Sequence, residues 1–241
     1  MALIIPTLNE EEAIGAVLAA VPRDAVDEII VADSASTDRT VERARAAGAR
    51  VVSVDGRGYG RGCRAGAEGA RDCDIIVFLD GDGSDCPELI PRIVEPIAEG
   101  SYDFVIGSRT RGKREPGSMA AHQVFAGRVI GTAMRLLYGV RFTDMCPFRA
   151  IRRDALTRLG MREDTYGWNL EMQMRAARSG LRILEVPVAH RRRAGGESKV
   201  SGSLRGTVKA SWRILATFLR IAGEGRSGGL APTSSAGSPN P

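Results

Sequence analysis

The sequence predicts an α/β fold of the Rossmann-like kind, a mostly parallel sheet with helices on both faces, followed by a C-terminal amphipathic helix. Short β-branched runs alternate with helix-length amphipathic stretches through the first half of the 241 residues. The runs are continuously apolar rather than alternating, as strands covered on both faces must be. With 43% hydrophobic residues and only 5% aromatics, the core has to rest on Leu, Ile, Val and Ala.

In chain order, strands are expected at Leu3-Ile4-Ile5, Glu28-Ile29-Ile30-Val31, Val51-Val52-Ser53-Val54, Ile75-Ile76-Val77-Phe78-Leu79 and Phe104-Val105-Ile106. Helices fill the intervals near 10–20, 38–47, 60–71 and 87–99. Lys113 to Ser118 has loop composition. A long helix near 119–138, a strand around Phe148–Ile151, a helix near 167–179 and a strand Leu181–Val188 complete the folded body. The expected organisation is one catalytic domain over 1–200, a basic amphipathic helix over 201–222, and a Gly-, Ser- and Pro-rich tail over 223–241 expected to be disordered.

Charge is unevenly placed. Residues 1–188 carry 25 basic and 27 acidic side chains, whereas 189–222 carry eight basic and one acidic. A single basic segment suits a local anionic partner, phosphate or a membrane surface, and argues against nucleic acid. Cys63, Cys73, Cys86 and Cys146 have no C-x-x-C spacing, so four reduced thiols in a cytoplasmic protein are expected. No apolar run approaches the roughly 20 residues of a bilayer span, and no signal peptide is visible.

Parallel sheets bind ligands at the carboxyl ends of their strands. The polar residues there are Asn9 and Glu10, Asp33, Asp80 and Asp82, and Ser108 and Arg109. In Asp80-Gly81-Asp82-Gly83-Ser84-Asp85, three carboxylates share a Gly-loosened turn, where they repel one another unless a cation or hydrogen bonds intervene. Hard oxygen ligands on alternate residues suit Mg²⁺ or Mn²⁺ carrying a diphosphate, which makes Asp80, Asp82 and Asp85 the candidate metal ligands. Asp33-Ser34-Ala35-Ser36-Thr37-Asp38 can serve as a helix cap, with Ser36 or Thr37 capping, but that leaves Asp33 available to a base or ribose. The glycines of Gly56-Arg57-Gly58-Tyr59-Gly60-Arg61-Gly62 fit a phosphate cradle assisted by Arg61 or, equally, close helix–sheet packing.

Ile5-Pro6-Thr7-Leu8-Asn9-Glu10-Glu11-Glu12, Val31-Ala32-Asp33-Ser34-Ala35-Ser36-Thr37-Asp38, Gly58-Tyr59-Gly60-Arg61-Gly62 and Asp80-Gly81-Asp82 together resemble, in order and spacing, glycosyltransferase family 2. The resemblance implies a GT-A fold and inverting transfer. It implies that Pro6, Leu8, Glu10 and Asp33 surround the nucleotide, and that Asp80, Gly81 and Asp82 serve sugar, ribose and metal, with Asp82 the direct ligand. Gly107-Ser108-Arg109, Thr143 to Arg149 and Arg192-Arg193-Ala194-Gly195-Gly196-Glu197-Ser198-Lys199 are similar to the dolichyl- or polyprenyl-phosphate sugar synthases of that family. There Arg193, Ser198 and Lys199 correspond to a loop over donor phosphates and acceptor, where placed cations stabilise the leaving group. Two departures stand out. Ser84 occupies the place of a Gln that often ligates metal, with Asp85 beside it as a substitute, and Leu8 replaces an aromatic.

Glu171, entering a helix, is a candidate general base for a hydroxyl acceptor, as is Asp144. A polyprenyl phosphate arrives ionised and needs neither, and Glu171 can instead pair with Arg175 one turn on. Leu204, Val208, Trp212, Leu215 and Leu219 form an apolar stripe with Arg205, Lys209, Arg213 and Arg220 beside it. Such a helix either docks on its own domain or a second subunit, or rests on anionic lipid. The leading expectation is transfer of a hexose from a GDP- or UDP-sugar to a polyprenyl phosphate at the inner face of the cytoplasmic membrane. In it Arg109, Arg193 and Lys199 neutralise phosphate charge. Transfer to a hydroxyl acceptor, a sugar-nucleotide-binding protein without turnover, and a homo-oligomer remain as alternatives. His122 and His190 carry no assignment.

Overall fold

The computed structural model describes residues 1–195 and 204–224, with backbone alone for 204–209. Ser198, Lys199 and most of the tail assigned to 223–241 therefore lie outside the described residues, as do the side chains of Leu204, Arg205, Val208 and Lys209. The elements follow one another as β1 (Ala2–Thr7), α1 (Ile14–Ala19), β2 (Glu28–Asp33), α2 (Thr40–Ala46), β3 (Arg50–Ser53), α3 (Tyr59–Gly69) and β4 (Ile75–Phe78). The second half holds α4 (Ile90–Ala98), β5 (Phe104–Ser108), α5 (Ala121–Tyr138), β6 (Arg149–Arg152), α6 (Arg153–Leu159), α7 (Trp168–Arg178), β7 (Ile183–Pro187) and α8 (Leu204–Gly223).

Seven strands form one sheet in the order β3-β2-β1-β4-β6-β5-β7. All neighbouring pairs are parallel except those of β6, which runs antiparallel to both β4 and β5. The chain moves outward from β1 to β3 and then returns to the other side of β1 with β4. The crevice between the ends of β1 and β4 is thus the switch point at which such sheets bind ligands. Strands β1, β2, β4 and β5 are almost wholly buried, as continuous apolar runs require.

Small residues bring α3 onto the sheet. A Cβ at Gly66 would lie 2.3 Å from Ile4 Cγ2, and one at Gly62 would lie 2.9 Å from Pro6 Cβ. Gly58 and Gly60 meet a different neighbour: their Cβ positions fall 2.3 Å from the Asp164 carbonyl oxygen and 2.2 Å from that of Glu163. The glycine-rich segment is therefore a seat for the loop before α7, and of its two readings close packing is the one realised.

Helix α8 lies on α7, and the face that packs is not the stripe picked out by its spacing. Ala210, Thr217 and Ile221 are buried and Ile214 and Phe218 pack on the core, whereas Trp212, Leu215 and Leu219 are exposed. Leucine-rich helices with two apolar faces leave spacing unable to choose between them. The four cysteines are unpaired, and among the described residues no helix is long and apolar enough to cross a membrane.

Candidate active site

The loops after β1 and β2 are tied to each other before any ligand is considered. Asp33 accepts hydrogen bonds from Thr7 Oγ1 at 3.1 Å, from the Ser36 backbone N–H at 2.9 Å and from Ser36 Oγ at 2.5 Å. Asn9, held at φ 54°, donates its N–H to Ser36 Oγ and accepts one from Thr37. The Glu10 N–H reaches Thr40 Oγ1 at 2.8 Å. Ser36 and Thr37 thus join the two loops rather than capping α2; Asp38, accepting from the Thr40 N–H and hydroxyl, takes that role. The result is a fixed rim carrying Glu10 and Asp33 beside half-buried Pro6 and Leu8.

Across the crevice stands the turn that follows β4. Gly81 is demanded by contact: a Cβ there would lie 2.9 Å from Thr7 Cγ2 and 3.2 Å from Ile5 Cγ2. Asp82 accepts from the Ser84 N–H at 2.9 Å and its hydroxyl at 2.6 Å, both through Oδ1, which leaves Oδ2 to face Arg193. Asp85 is buried and accepts the Asp80 N–H through Oδ2. Burial, with the charges of Asp85 and Asp82 adding to it, pushes the Asp80 carboxyl well above the usual carboxylate range.

His190 completes this cluster. It is buried, and its Nδ1 lies 3.7 Å from Asp85 Oδ1. Asp80 Oδ1, Asp85 Oδ1 and His190 Nδ1 all lack a hydrogen-bond partner among the described residues. Buried polar atoms are seldom left unsatisfied, so these orphans, two in the turn and one from the segment after β7, fit a group that they would hold, and oxygen and imidazole donors suit a divalent cation. Among the described residues no group of three or more His, Cys, Asp or Glu side chains is arranged closely enough to hold a metal ion. Sequence spacing could not find His190, which lies more than a hundred residues from Asp85; it follows β7, whose parallel pairing with β5 carries the chain to the same edge of the sheet.

The segment from His190 to Gly195 is laid over the turn by backbone hydrogen bonds, Arg191 N–H to Ser84 O at 2.8 Å and Ala194 N–H to Asp82 O at 3.0 Å. This places Arg193 between the two acidic rims, bonded to the Glu10 carboxylate and 3.3 Å from Asp82 Oδ2. The guanidinium stands where positive charge is called for by the carboxylates around it.

Arg109 and Asp144 come together, but with each other. Arg109 donates from its backbone N–H at 2.9 Å, from Nε at 2.8 Å and from an Nη at 2.8 Å to the Asp144 carboxylate. Burial alone would raise the Asp144 carboxyl, and the Arg109 charge and hydrogen bonds outweigh it, leaving it below its usual range. Both Asp144 oxygens are thus engaged, by Arg109 and by the Met145 N–H. The pair closes the base of the long excursion through α5, helped by Glu185, which accepts from the Thr143 N–H and hydroxyl and the Asp144 N–H.

Glu171 is likewise committed. It is fully buried; Oε2 accepts from the Arg162 and Glu163 N–H groups and Oε1 from Arg175 at 2.8 Å and Arg220 at 3.2 Å. The pairing with Arg175 one turn on is therefore present. Glu163 beside it takes Thr165, Arg213 and Thr217. For both, burial would raise the carboxyl, and hydrogen bonds chiefly to Arg175 and Thr165 bring it below the ordinary value. Arg213 and Arg220, expected in water beside an apolar stripe, are thus the bolts that hold α8 to α7. Arg61 sits on the outer side of α3, bonded to Asp164 at 3.1 Å. It lines an open cavity of about 370 Å³ with Val54, Asp55 and Arg64, and β3 continues into Val54, whose N–H bonds the Asp33 carbonyl.

A seven-stranded, mostly parallel sheet with carboxylates gathered at its switch point defines a GT-A nucleotide-sugar enzyme. The sequence profile of Glycosyl transferase family 2 matches residues 2–160, and the chain belongs to that family of glycosyltransferases. It is 37% identical over 223 residues to an undecaprenyl-phosphate mannosyltransferase of Micrococcus luteus, covering 84% of this chain and 88% of that one. It is 37% identical over 199 residues to a dolichyl-phosphate hexose transferase of Haloferax volcanii, covering 81% and 84%. A solved structure of Mycobacterium tuberculosis glucosyl-3-phosphoglycerate synthase, in complex with Mn²⁺, UDP-glucose and phosphoglyceric acid, superposes with a TM-score of 0.76. The two chains are 28% identical, with 92% of this chain and 79% of that one covered.

Proposed function

We propose that the protein is an inverting hexosyltransferase that moves a sugar from a UDP- or GDP-sugar to a polyprenyl phosphate, using Mg²⁺ or Mn²⁺. The donor half rests on the crevice between β1 and β4. Asp33 and the cavity beside Arg61 suit ribose and base, while Asp80, Asp82, Asp85 and His190 supply the donor set for a divalent ion. The glucosyl-3-phosphoglycerate synthase, solved with Mn²⁺ and UDP-glucose, supports a divalent ion and a UDP-sugar as the donor pair. When bound, the ion would neutralise the diphosphate as a leaving group. Arg193, poised between Glu10 and Asp82, adds a second positive charge on the opposite side, and Ser198 and Lys199 belong to the same segment by sequence. In the reaction a phosphate oxygen of the acceptor attacks the anomeric carbon. The bond from that carbon to the donor oxygen breaks, and its electron pair leaves with the nucleoside diphosphate.

One observation carries the acceptor class: the two carboxylates that spacing offers as bases, Glu171 and Asp144, are both saturated by arginine and backbone donors. A hydroxyl acceptor needs its proton taken as it attacks, whereas a phosphate monoester is already an anion. The undecaprenyl- and dolichyl-phosphate relatives support this choice. The decisive assay offers labelled UDP- and GDP-sugars with Mn²⁺ to a short polyprenyl phosphate and, separately, to glycerate and sugar hydroxyls. Product on the polyprenyl phosphate is expected. Product only on hydroxyls, abolished in Glu171→Gln, would overturn the reading.

A further inference from the structure

The seven large hydrophobic side chains exposed among the described residues all lie on two helices: Phe125, Val129, Leu136 and Leu137 on α5, and Trp212, Leu215 and Leu219 on α8. On α5 the steps from Phe125 to Val129 and Leu136 keep these three within an arc of about 40° at 100° per residue. The opposite side holds buried Gly127, Gly131 and Met134. Glycine is demanded at 131, where a Cβ would fall 2.0 Å from the Phe142 carbonyl oxygen, so α5 can press only this side onto the body. Its other side is an apolar stripe that no part of the described chain covers.

We propose that the outer faces of α5 and α8 together form a docking surface for an anionic lipid bilayer. The charge pattern selects the occupant. Between Glu115 and Asp144 there is no acidic residue, while Arg128 and Arg135 run along one edge of the α5 stripe and Arg141 follows it. Within α8 there is no acidic residue either. An apolar stripe edged by arginines on α5, beside exposed Trp212, Leu215 and Leu219 on α8, would repel a second copy of itself but match headgroups of negative charge over acyl chains.

The two helices flank α7 and come together at their C-terminal ends. Glu224, at the end of α8, bonds Arg175 and Arg178, and the Arg178 and Glu224 charges both act on Tyr138, the last residue of α5. The surface is also joined to the reaction site. Loop 109–120 leads into α5 and carries the His190 N–H to Lys113 O and Glu115 N–H to His190 O bonds, so it is stitched to the segment that bears Arg193. At the far end of α5, Asp144 returns to Arg109. The docking surface deepens the reading of a polyprenyl phosphate acceptor, on which it partly rests, yet vesicles without any acceptor test it separately.

The full chain is sedimented with phosphatidylcholine vesicles, with and without phosphatidylglycerol, in the absence of polyprenyl phosphate. Binding is expected only with the anionic lipid, and it should weaken with salt. Phe125→Ser with Leu136→Ser, and independently Arg128→Gln with Arg135→Gln, should each lower partitioning about tenfold or more, with thermal melting unchanged because all four side chains are exposed. Transfer to a short polyprenyl phosphate in detergent should be unaffected in these variants, so loss of that activity in the parent chain would count against the acceptor and not against the surface. Two results would overturn the proposal: partitioning equal in variants and parent, or a parent dimer in sedimentation velocity that Phe125→Ser with Leu136→Ser dissolves.

Discussion

Two groups of acids within the body of the protein behave in opposite ways. At the switch point of the sheet, Asp80, Asp82 and Asp85 crowd one turn, the Asp80 carboxyl is held far above its ordinary range, and buried oxygens go without partners. Between α7 and α8, Glu163 and Glu171 are buried as deeply, yet their carboxyls fall below their ordinary range because arginines, threonines and backbone N–H groups surround them. Burial alone raises both. What differs is whether this chain has supplied the counter-charge. An acid whose positive partner is missing is a place for a ligand, whereas an acid already saturated is a fastening. The contrast separates a site from a scaffold without reference to any relative.

The sharpest way to break that contrast is to exchange the fates of the two groups. Asp82→Ala should reduce sugar transfer by about a hundredfold or more while costing only about 1–2 kcal/mol in urea unfolding, since Asp82 contributes charge to the crevice and two hydrogen bonds to its own turn. Glu171→Gln should do the reverse. Removing its charge leaves Arg175 and Arg220 to Glu224 and Glu163 alone and takes a charged acceptor from the Arg162 and Glu163 N–H groups, at a cost of about 1.5–3 kcal/mol in urea denaturation, with transfer per folded molecule to a phosphate acceptor retained.

A smaller effect follows from pH. The Glu163 and Glu171 carboxyls are lower in the folded chain than the 4.5 they have when free. Their contribution is therefore complete above about pH 4.5 and lost as pH falls through the folded values. Melting curves of the parent and Glu171→Gln should accordingly be well separated at pH 7 and draw together in acid below pH 4.5. A gap that persists there would mean that Glu171 acts through packing and not through its charge.

Much of the donor side was legible in the sequence. Asp80-Gly81-Asp82 follows an apolar strand directly, and strand plus turn determines where such carboxylates emerge. The arrangement of Glu10 and Asp33 follows from the same rule applied to β1 and β2. What escaped is what depends on distant partners. Gly58 and Gly60 announce a close approach, but nothing local says that Glu163 and Asp164 approach rather than a phosphate. Arg109 and Asp144 are 35 residues apart, so a strand-end arginine looked available for phosphate when it is engaged by its own chain. The residues of β6 carry no mark of direction, and it is the parallel pairing of β7 with β5 that returns His190 and the arginine segment to the site. On α8, two apolar faces share one helix, and periodicity could name a stripe without telling which side the body would take.

The most direct test is titration calorimetry with Mn²⁺ and UDP, which cannot turn over, on the parent chain, Asp82→Ala and Glu171→Gln. If the strand-end acids are the cation and donor site, UDP should bind the parent and the folded fraction of Glu171→Gln with equal, metal-dependent affinity, and Asp82→Ala should show no metal-dependent binding. Unchanged metal-dependent affinity in Asp82→Ala, or its loss in folded Glu171→Gln, would contradict that assignment.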